Sequence, residues 1–272
     1  MPELPEVETI KNVLKPHIVG KTITAVTINN ESVIAMPQSS EFVSCLKGKT
    51  FSDFERRGKF LRFYFTNDDC LVLHLRMTGC LTVEDNSLPQ EKHTHLILTL
   101  DDGKEIRYED ARRFGRFWYI EKGIEDRYSG IAKLGVEPND LTFERLKSGF
   151  SKSGKTIKEL LLDQTIVADI GNIYSDEICF RAKILPYKKG NALSDDDLSR
   201  LCVVIPETIT YYVEKNKIPY EDYLKSRGKE YRNTPFLNVY GKAKKPCPIC
   251  NATLAGKTIG GRSSVYCPNC QK

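Results

Sequence analysis

The sequence predicts an α+β protein with several domains, and three observations support this prediction. A short amphipathic helix begins the chain, a β-rich segment follows it, and helices replace strands in the second half. Four cysteines in two closely spaced pairs mark a small unit near the C-terminus. The 272 residues suffice for two domains and a small appendage.

Residues 5–16 predict the first helix, because Pro5 suits a first helical turn and Val7, Ile10 and Leu14 fall on one face. Over residues 21–121, short runs rich in β-branched and aromatic residues predict strands separated by Gly, Asn and Asp. These runs are ITAVTI, FLRFYF, LVLHLRM, HLILTL and EIRYED. Strands at this spacing are typical of a sandwich or a barrel.

From about Ser129 the pattern becomes helical. Helices are predicted for Leu141–Phe150, Thr156–Leu162, Asn172–Arg181 and Ser194–Asn216. Ser194 suits a helix N-cap because three acidic residues follow it in the first turn. The polar stretch between Pro219 and Pro235 predicts a loop, and residues 240–272 predict a strand–turn–strand unit around the cysteines.

The positive charge of the chain is concentrated towards its C-terminal end. The net charge is +5, yet the segment from Lys225 to Lys272 contains ten Lys or Arg residues and only Glu230 as an acid. Such a segment favours a polyanionic partner, of which nucleic acid is the first candidate, although a solvated basic tail is the alternative.

No apolar run reaches the roughly 18–20 residues of a membrane span. The acidic start lacks signal-peptide features, so we expect a cytosolic protein.

Two C-x-x-C pairs, with sixteen residues between them, predict a structural zinc site with four thiolate ligands. The predicted ligands are Cys247, Cys250, Cys267 and Cys270. A redox pair and four unrelated thiols are the alternatives, but a redox pair would not explain the second C-x-x-C. About thirty residues cannot bury a core unaided, so metal binding would supply folding free energy. With four protein ligands, no position stays open for catalysis.

Gly260 and Gly261 lie between the cysteine pairs and predict the tip of a β-hairpin. This tip would project Arg262 outwards. An ordinary solvent-exposed arginine is the alternative interpretation.

Several blocks of the sequence resemble the formamidopyrimidine-DNA glycosylase family. They are MPELPEVE at the start, RRGKFL (56–61), HLRMTG (74–79), DARRFGRF (110–117), LGVEP (134–138), LLLDQTIVADIGNIYSDE (160–177), VYGKAKKPC (239–247) and GRSSVYCPNCQ (261–271). The blocks follow the family's order nearly end to end. Leu4 favours this branch over the related endonuclease VIII branch.

The resemblance implies three parts: an N-terminal helix plus β-sandwich (1–128), a helical helix-two-turn-helix domain (129–238) and a zinc β-hairpin (239–272). DNA would lie in the cleft between the two main domains. The implied activity is base excision repair, in which 8-oxoguanine or formamidopyrimidines are removed and β,δ-elimination follows at the abasic site. The implied partner is damaged double-stranded DNA, the implied cofactor is Zn²⁺ alone, and we expect a cytoplasmic monomer.

The chemistry of Pro2 and Glu3 fits this activity. Once Met1 is removed, Pro2 becomes a secondary amine, and an α-amino group with a pKa near 8 is partly neutral at pH 7. Its attack on the sugar C1′ yields an iminium that permits elimination of the 3′ and then the 5′ phosphate. Glu3 would act as general acid–base in opening the sugar. Taken alone, Pro2 and Glu3 would merely start a helix.

Other roles follow from the resemblance. Lys59 and Arg262 would contact phosphates and assist elimination. The DNA-contacting residues would be Met77, His93, Arg112, Phe114, Lys158 and Asn172.

Within this set, Met77, Arg112 and Phe114 would fill the hole left by the extruded base, because unstacking costs a few kcal/mol. Core packing is the alternative for Met77 and Phe114. Asn172 would hold a phosphate at the positive end of a helix, and Lys158 would approach the damaged base.

Three positions depart from the family pattern: Asp169 where Gly is usual, Ser153 where Lys is common, and Tyr231 where Gly is usual. The departures bear on lesion choice and affinity more than on reaction type.

Three other interpretations stay open: a pyrimidine-directed, endonuclease VIII-like glycosylase, a non-catalytic binder of damaged or abasic DNA, and a zinc-ribbon RNA-binding protein. The intact set of Pro2, Glu3, Lys59 and Arg262 argues against the two binding-only interpretations.

The basic C-terminal segment leads to a first prediction. Affinity for undamaged duplex should fall steeply with salt, because each neutralised phosphate releases counterions. Arg262→Ala should lower the slope of log affinity against log salt by about one unit. Titrations of labelled duplex at several salt concentrations measure this slope, and an unchanged slope would place Arg262 away from phosphate.

Overall fold

The computed structural model describes residues 2–124, 126, 129–228 and 233–272. The helices are α1 Leu4–Ile18, α2 Ser39–Leu46, α3 Phe143–Phe150, α4 Ile157–Leu161, α5 Asn172–Arg181, α6 Asp195–Lys215 and α7 Tyr220–Lys225. The strands are β1 Ile23–Ile28, β2 Ile34–Met36, β3 Phe51–Arg57, β4 Phe60–Phe65, β5 Cys70–His74, β6 Gly79–Asp85, β7 Thr94–Leu100, β8 Lys104–Asp110, β9 Arg116–Ile120, β10 Ala255–Ile259 and β11 Arg262–Tyr266.

Contacts among the described residues divide the chain into two units. The first unit contains Pro2, residues 6–132 and residues 217–228. The second contains residues 3–5, 133–216 and 233–272. Residues 217–228, which follow α6 in the sequence, make most of their contacts with the first unit.

The first unit is a β-sandwich. One sheet has the strand order β1-β7-β8-β6, and the other has the order β2-β9-β5-β4-β3. Strand β4 shows why such strands form, since Leu61, Phe63 and Phe65 are buried while Arg62 and Tyr64 between them are partly exposed. Apolar side chains from both sheets share one core, and Val7, Ile10, Leu14 and Ile18 of α1 pack into it.

A short helix occupies part of the segment predicted as a loop between Pro219 and Pro235, so that prediction was wrong for α7. The hydroxyls of Tyr220 and Tyr223 each donate to a carbonyl of β6, at Val83 and Leu81, both at 2.6 Å. Tyr223 is also part of the sandwich core. Tertiary contacts therefore hold α7 in place, rather than an apolar periodicity of its own.

Helices build the second unit around a core that includes Leu4 at the start of α1. Capping boxes at Thr156 and Ser194 begin α4 and α6. Glu177 of α5 is fully buried, and its carboxylate accepts hydrogen bonds from the backbone amides of residues 238–240 at 2.9–3.0 Å. This carboxylate fixes the segment that leads into the cysteine unit.

Most predicted elements are confirmed, including α5 with its predicted bounds. The sequence did not predict α2, β2, β3, β6 or β9. The first six residues of β6 are all buried, including the polar Thr82 and Glu84. Among the described residues, no helix combines the length and apolar character needed to cross a membrane.

The docking of α7 leads to a second prediction. Tyr223→Phe should lower the free energy of unfolding by about 1–3 kcal/mol, because it removes the buried hydrogen bond to the Leu81 carbonyl. Chemical denaturation followed by circular dichroism measures the change. Tyr64→Phe, on the partly exposed face of β4, is the control. Equal effects of the two substitutions would contradict the assigned contact.

Candidate active site and metal centre

The Glu3 carboxylate lies against the first amides of α5. Its Oε1 accepts a hydrogen bond from the Ile173 amide at 3.0 Å, and its Oε2 accepts one from the Tyr174 amide at 3.4 Å. Glu3 is fully buried. A helix N-terminus carries partial positive charge and unsatisfied amides, so it attracts a carboxylate. The second unit thereby fixes the residue next to Pro2, which is itself buried.

Gly171, the N-cap of α5, makes this approach possible. It offers no side-chain cap, and an added Cβ would lie 2.2–2.6 Å from the Glu3 carboxylate atoms. Glu3 therefore performs the capping that a side chain at position 171 would otherwise perform. Nothing in the sequence indicates this contact, because Glu3 and Ile173 are 170 residues apart.

Asn172 begins α5 as predicted, but the amides of the next two residues already bind Glu3. A phosphate would therefore meet the Asn172 side chain rather than those amides. Within the described part of the chain, Asn172 Oδ1 is buried without a hydrogen-bond partner.

Met77, Arg112 and Phe114 form an exposed cluster on the first unit. The Arg112 guanidinium carbon lies 4.6 Å from the centre of the Phe114 ring, and Arg112 Nη1 lies 3.1 Å from Met77 Sδ. Met77 is 43% exposed and Phe114 is 47% exposed. Core packing, the alternative for these two residues, is therefore wrong.

The carboxylate of Asp110 shapes the loop that carries this cluster. It accepts hydrogen bonds from the amides of Arg112 and Gly115, from the Tyr108 hydroxyl, and from the Thr78 hydroxyl in the Met77 turn. Burial alone would raise the pKa of Asp110, but these hydrogen bonds hold it below its ordinary value. An ionised carboxylate thus ties the two loops together at neutral pH.

Lys59 occupies a two-residue turn between β3 and β4, after Gly58 with a φ of 65°.

His74 at the end of β5 lies near Lys59. Burial, with the charges of Arg76 and Lys59, lowers the pKa of His74 to about 3. The imidazole is therefore neutral, and since its Nδ1 accepts from the Arg76 amide at 2.9 Å, its proton lies on Nε2. His74 is part of the block HLRMTG, but the sequence analysis gave it no role. Its proximity to Lys59, seen only in the structure, makes it a candidate site residue.

His93 is exposed at the rim of a pocket of about 380 Å³ on the first unit. Met77, Thr78 and the buried Glu109 also line this pocket. The structure therefore places His93 next to Met77 of the exposed cluster, and its contact with DNA stays a prediction.

Lys158 requires a correction, because the resemblance implied that it approaches the damaged base. Its side chain is fully buried, and its Nζ lies 2.6 Å from Oδ1 of the equally buried Asp176. A cation enclosed in this way presents no surface to a damaged base. The sequence could not show this, because the ion pair forms only when α4 and α5 pack together.

The four cysteines meet at the base of the β10–β11 hairpin. Cys247 Sγ lies 3.9 Å from Cys270 Sγ, Cys250 Sγ lies 3.5 Å from Cys267 Sγ, and all four sulfurs lie within 4.8 Å of one another. Tetrahedral zinc with Zn–S bonds of about 2.3 Å requires sulfurs about 3.8 Å apart. The cluster therefore fits one structural Zn²⁺, with every position taken by the protein.

Arg262 follows the hairpin tip, where Gly260 and Gly261 adopt φ values of 54° and 73°. Residues other than glycine reach this region only at a cost. Arg262 is exposed, as predicted.

The three departures from the family pattern have different outcomes. Asp169 is fully buried at a φ of 76°, so its carboxylate points away from solvent. Ser153 is partly exposed, and its hydroxyl accepts from the Lys155 amide at 3.2 Å. Tyr231 and Met1 lie outside the described residues.

Comparisons with known proteins cover the whole chain. Residues 1–117 match the N-terminal domain of formamidopyrimidine-DNA glycosylase, residues 134–222 match its H2TH domain, and residues 244–272 match a zinc finger found in FPG and IleRS. Formamidopyrimidine-DNA glycosylases from Pelotomaculum thermopropionicum and Brevibacillus brevis are 39% and 40% identical to it, with 100% of this chain and 99% of each relative covered.

Solved structures agree with this match. The Lactococcus lactis Fpg protein in complex with FAPY-dG-containing DNA has a TM-score of 0.88 and is 32% identical, with 99% of this chain and 100% of that chain covered. The LlFpg protein with THF-DNA and an inhibitor has a TM-score of 0.91, is 33% identical and covers 100% of both chains.

A β-sandwich, an H2TH domain and a zinc finger, in this order, are the architecture of a DNA repair enzyme that removes a base and cuts the strand. The chain belongs to the formamidopyrimidine-DNA glycosylase family. It is a base excision repair glycosylase with abasic-site lyase activity, and it carries one structural zinc.

A third prediction concerns Gly171. Gly171→Ala should displace the Glu3 carboxylate and slow base removal at least about 100-fold, the scale of losing the general acid–base that the family resemblance assigns to Glu3. Gly154→Ala is the matched control, because nothing lies within 4 Å of the added Cβ. Single-turnover rates of base removal on a lesion-containing duplex measure the effect. A wild-type rate for Gly171→Ala would contradict the contact between Glu3 and the start of α5.

A fourth prediction concerns zinc. Metal analysis should find one zinc per chain, and Cys250→Ser should unfold the cysteine unit and weaken DNA binding while the sandwich persists. Limited proteolysis and duplex titration measure the two effects. Metal-free protein that binds DNA normally would refute the structural role.

Proposed function

We propose that Pro2 is the nucleophile and Glu3 the general acid–base of this glycosylase, acting on oxidised purines in double-stranded DNA. The observation that carries the proposal is the Glu3 carboxylate on the amides of α5. A catalytic carboxylate must be held in one orientation to be effective, and two hydrogen bonds from a rigid helix supply this.

The reaction has a defined sequence of steps. The Pro2 nitrogen attacks C1′, the glycosidic bond breaks, and the base leaves with a proton. Glu3 transfers a proton as the sugar ring opens, which gives an iminium between Pro2 and C1′. The iminium acidifies C2′, so loss of a proton there expels the 3′ phosphate, and a second elimination expels the 5′ phosphate. Hydrolysis of the iminium then releases the enzyme.

The remaining site residues hold the DNA. Lys59 and Arg262 bind phosphates and assist the two eliminations, and the neutral His74 offers an Nε2–H donor beside Lys59. His93 and Asn172 also contact the backbone. Their positions at a turn, a pocket rim, a helix start and a hairpin tip suit contacts that position DNA without reading its sequence.

Met77, Arg112 and Phe114 take the place of the extruded nucleotide. Their exposure and mutual contacts support this role, because two apolar side chains are left in solvent with a guanidinium held over one of them. Apolar wedges inserted between bases offset part of the unstacking cost.

We propose formamidopyrimidines, which the names of the relatives contain, and 8-oxoguanine as substrates. The Lactococcus lactis protein was also solved with an oxidised-pyrimidine-containing DNA. Oxidised pyrimidines are therefore a second substrate class to test. We also propose that the enzyme acts as a cytoplasmic monomer with domain boundaries along the chain near residues 128 and 238, residues 217–228 of the middle part packing on the sandwich.

The fifth prediction tests the nucleophile and the acid–base. Borohydride should trap the active protein on abasic DNA through Pro2, and Pro2→Gly should slow trapping. Glu3→Gln should slow base removal at least about 100-fold while binding to the same duplex changes little. Peptide mapping of the trapped complex shows whether the covalent link is at Pro2. A covalent link at an internal lysine, or full-rate trapping by Pro2→Gly, would overturn the mechanism.

A further inference from the structure

Asp176 connects three elements of the second unit through one buried carboxylate. Its Oδ1 accepts hydrogen bonds from Lys158 Nζ of α4 and from the Ser264 hydroxyl of β11, both at 2.6 Å. Its Oδ2 accepts from the Val265 amide at 2.9 Å. Asp176, Lys158 and Ser264 are each at most 1% exposed. The hairpin that carries Arg262 is thus attached directly to α5.

This network is poorly explained as a source of stability. Burial raises the pKa of Asp176 even though Lys158, Ser264 and the Val265 amide oppose the shift, so the ionised carboxylate is less favourable here than in water. Apolar residues of similar volume often replace a buried ion pair without loss of stability. What such residues cannot supply is a directional link between α5 and β11.

The link sets a distance between two predicted phosphate contacts. Asn172 lies four residues before Asp176 on α5, hence on the same helix face and about 6 Å along the axis. Arg262 lies two residues before Ser264 on β11, hence on the same strand face and about 7 Å away. The contact between Asp176 and Ser264 therefore fixes the helix carrying Asn172 against the strand carrying Arg262.

We propose that Asp176 is a positioning residue for DNA binding: held by Lys158, it sets the spacing between Asn172 and Arg262 so that both engage backbone phosphates together. The inference rests on the phosphate-binding roles proposed above for these two residues. It gives Lys158 an indirect role, because that side chain reaches DNA only through Asp176 and the hairpin.

Two neighbouring serines provide a matched test. Ser264→Ala removes one hydrogen bond to Asp176, whereas Ser263→Ala alters an exposed side chain on the opposite strand face. Ser264→Ala should weaken binding to a duplex with a tetrahydrofuran abasic analogue at least threefold. On natural abasic DNA it should raise the share of product that stops after β-elimination. Ser263→Ala should stay within twofold in both measurements, and equal effects would overturn the proposal.

A double-mutant cycle tests the coupling to Arg262. In the wild type, Arg262→Ala should weaken binding to the tetrahydrofuran duplex about tenfold, the scale of a lost hydrogen bond to a charged group. In a Lys158→Met/Asp176→Leu background, where β11 lacks its hydrogen bonds to Asp176, the same substitution should cost less than threefold. Zinc content and thermal unfolding verify the fold of each variant, and the Ser264→Ala background replaces the double variant if that variant does not fold.

The outcomes separate this inference from the proposed function. If Arg262→Ala has its full effect in every background, the positioning role is wrong and the phosphate role of Arg262 stands. If Arg262→Ala has no effect in the wild type, the phosphate role is wrong, and the positioning inference fails with it. A loss of the Arg262 effect only in the altered backgrounds, with zinc retained, is the result that supports the proposal.

Discussion

The hydrogen bonds from the first amides of α5 to the Glu3 carboxylate are the constraint on which the candidate active site depends. Two charge-assisted hydrogen bonds, each worth about 1.5–3 kcal/mol, hold a residue that would otherwise belong to a mobile chain terminus. They require a glycine at position 171, where a methyl group would occupy the space of the carboxylate. The position of Glu3 therefore depends on a helix far away in the sequence.

Helix α5 extends this principle along its length. Its amides hold Glu3, Asp176 holds the zinc hairpin, and Glu177 holds the backbone of residues 238–240. These acids are buried, and a buried acid left without donors would destabilise the fold strongly. Each one is instead met by amides, hydroxyls or a lysine, so each fixes a segment that has little core of its own.

The sequence predicted the fold well wherever local chemistry decides it. The start of α5 follows from Gly171 and Asn172, and the zinc site follows from the spacing of four cysteines. Helix α7 was missed because its six residues are held by tyrosine contacts to β6. Lys158 was misassigned because its partner lies on another helix, and the support of Glu3 was invisible because it spans 170 residues. These failures share one cause, since each interaction exists only after distant segments have packed together.

The docking of α7 has a consequence for solubility. Strand β6 is the last strand of its sheet, and such a strand presents carbonyls and amides that can pair with another molecule. The Tyr220 and Tyr223 hydroxyls occupy two of these carbonyls, at Val83 and Leu81. A segment that comes more than 130 residues later in the chain than β6 thereby protects the sandwich from intermolecular β-pairing and aggregation.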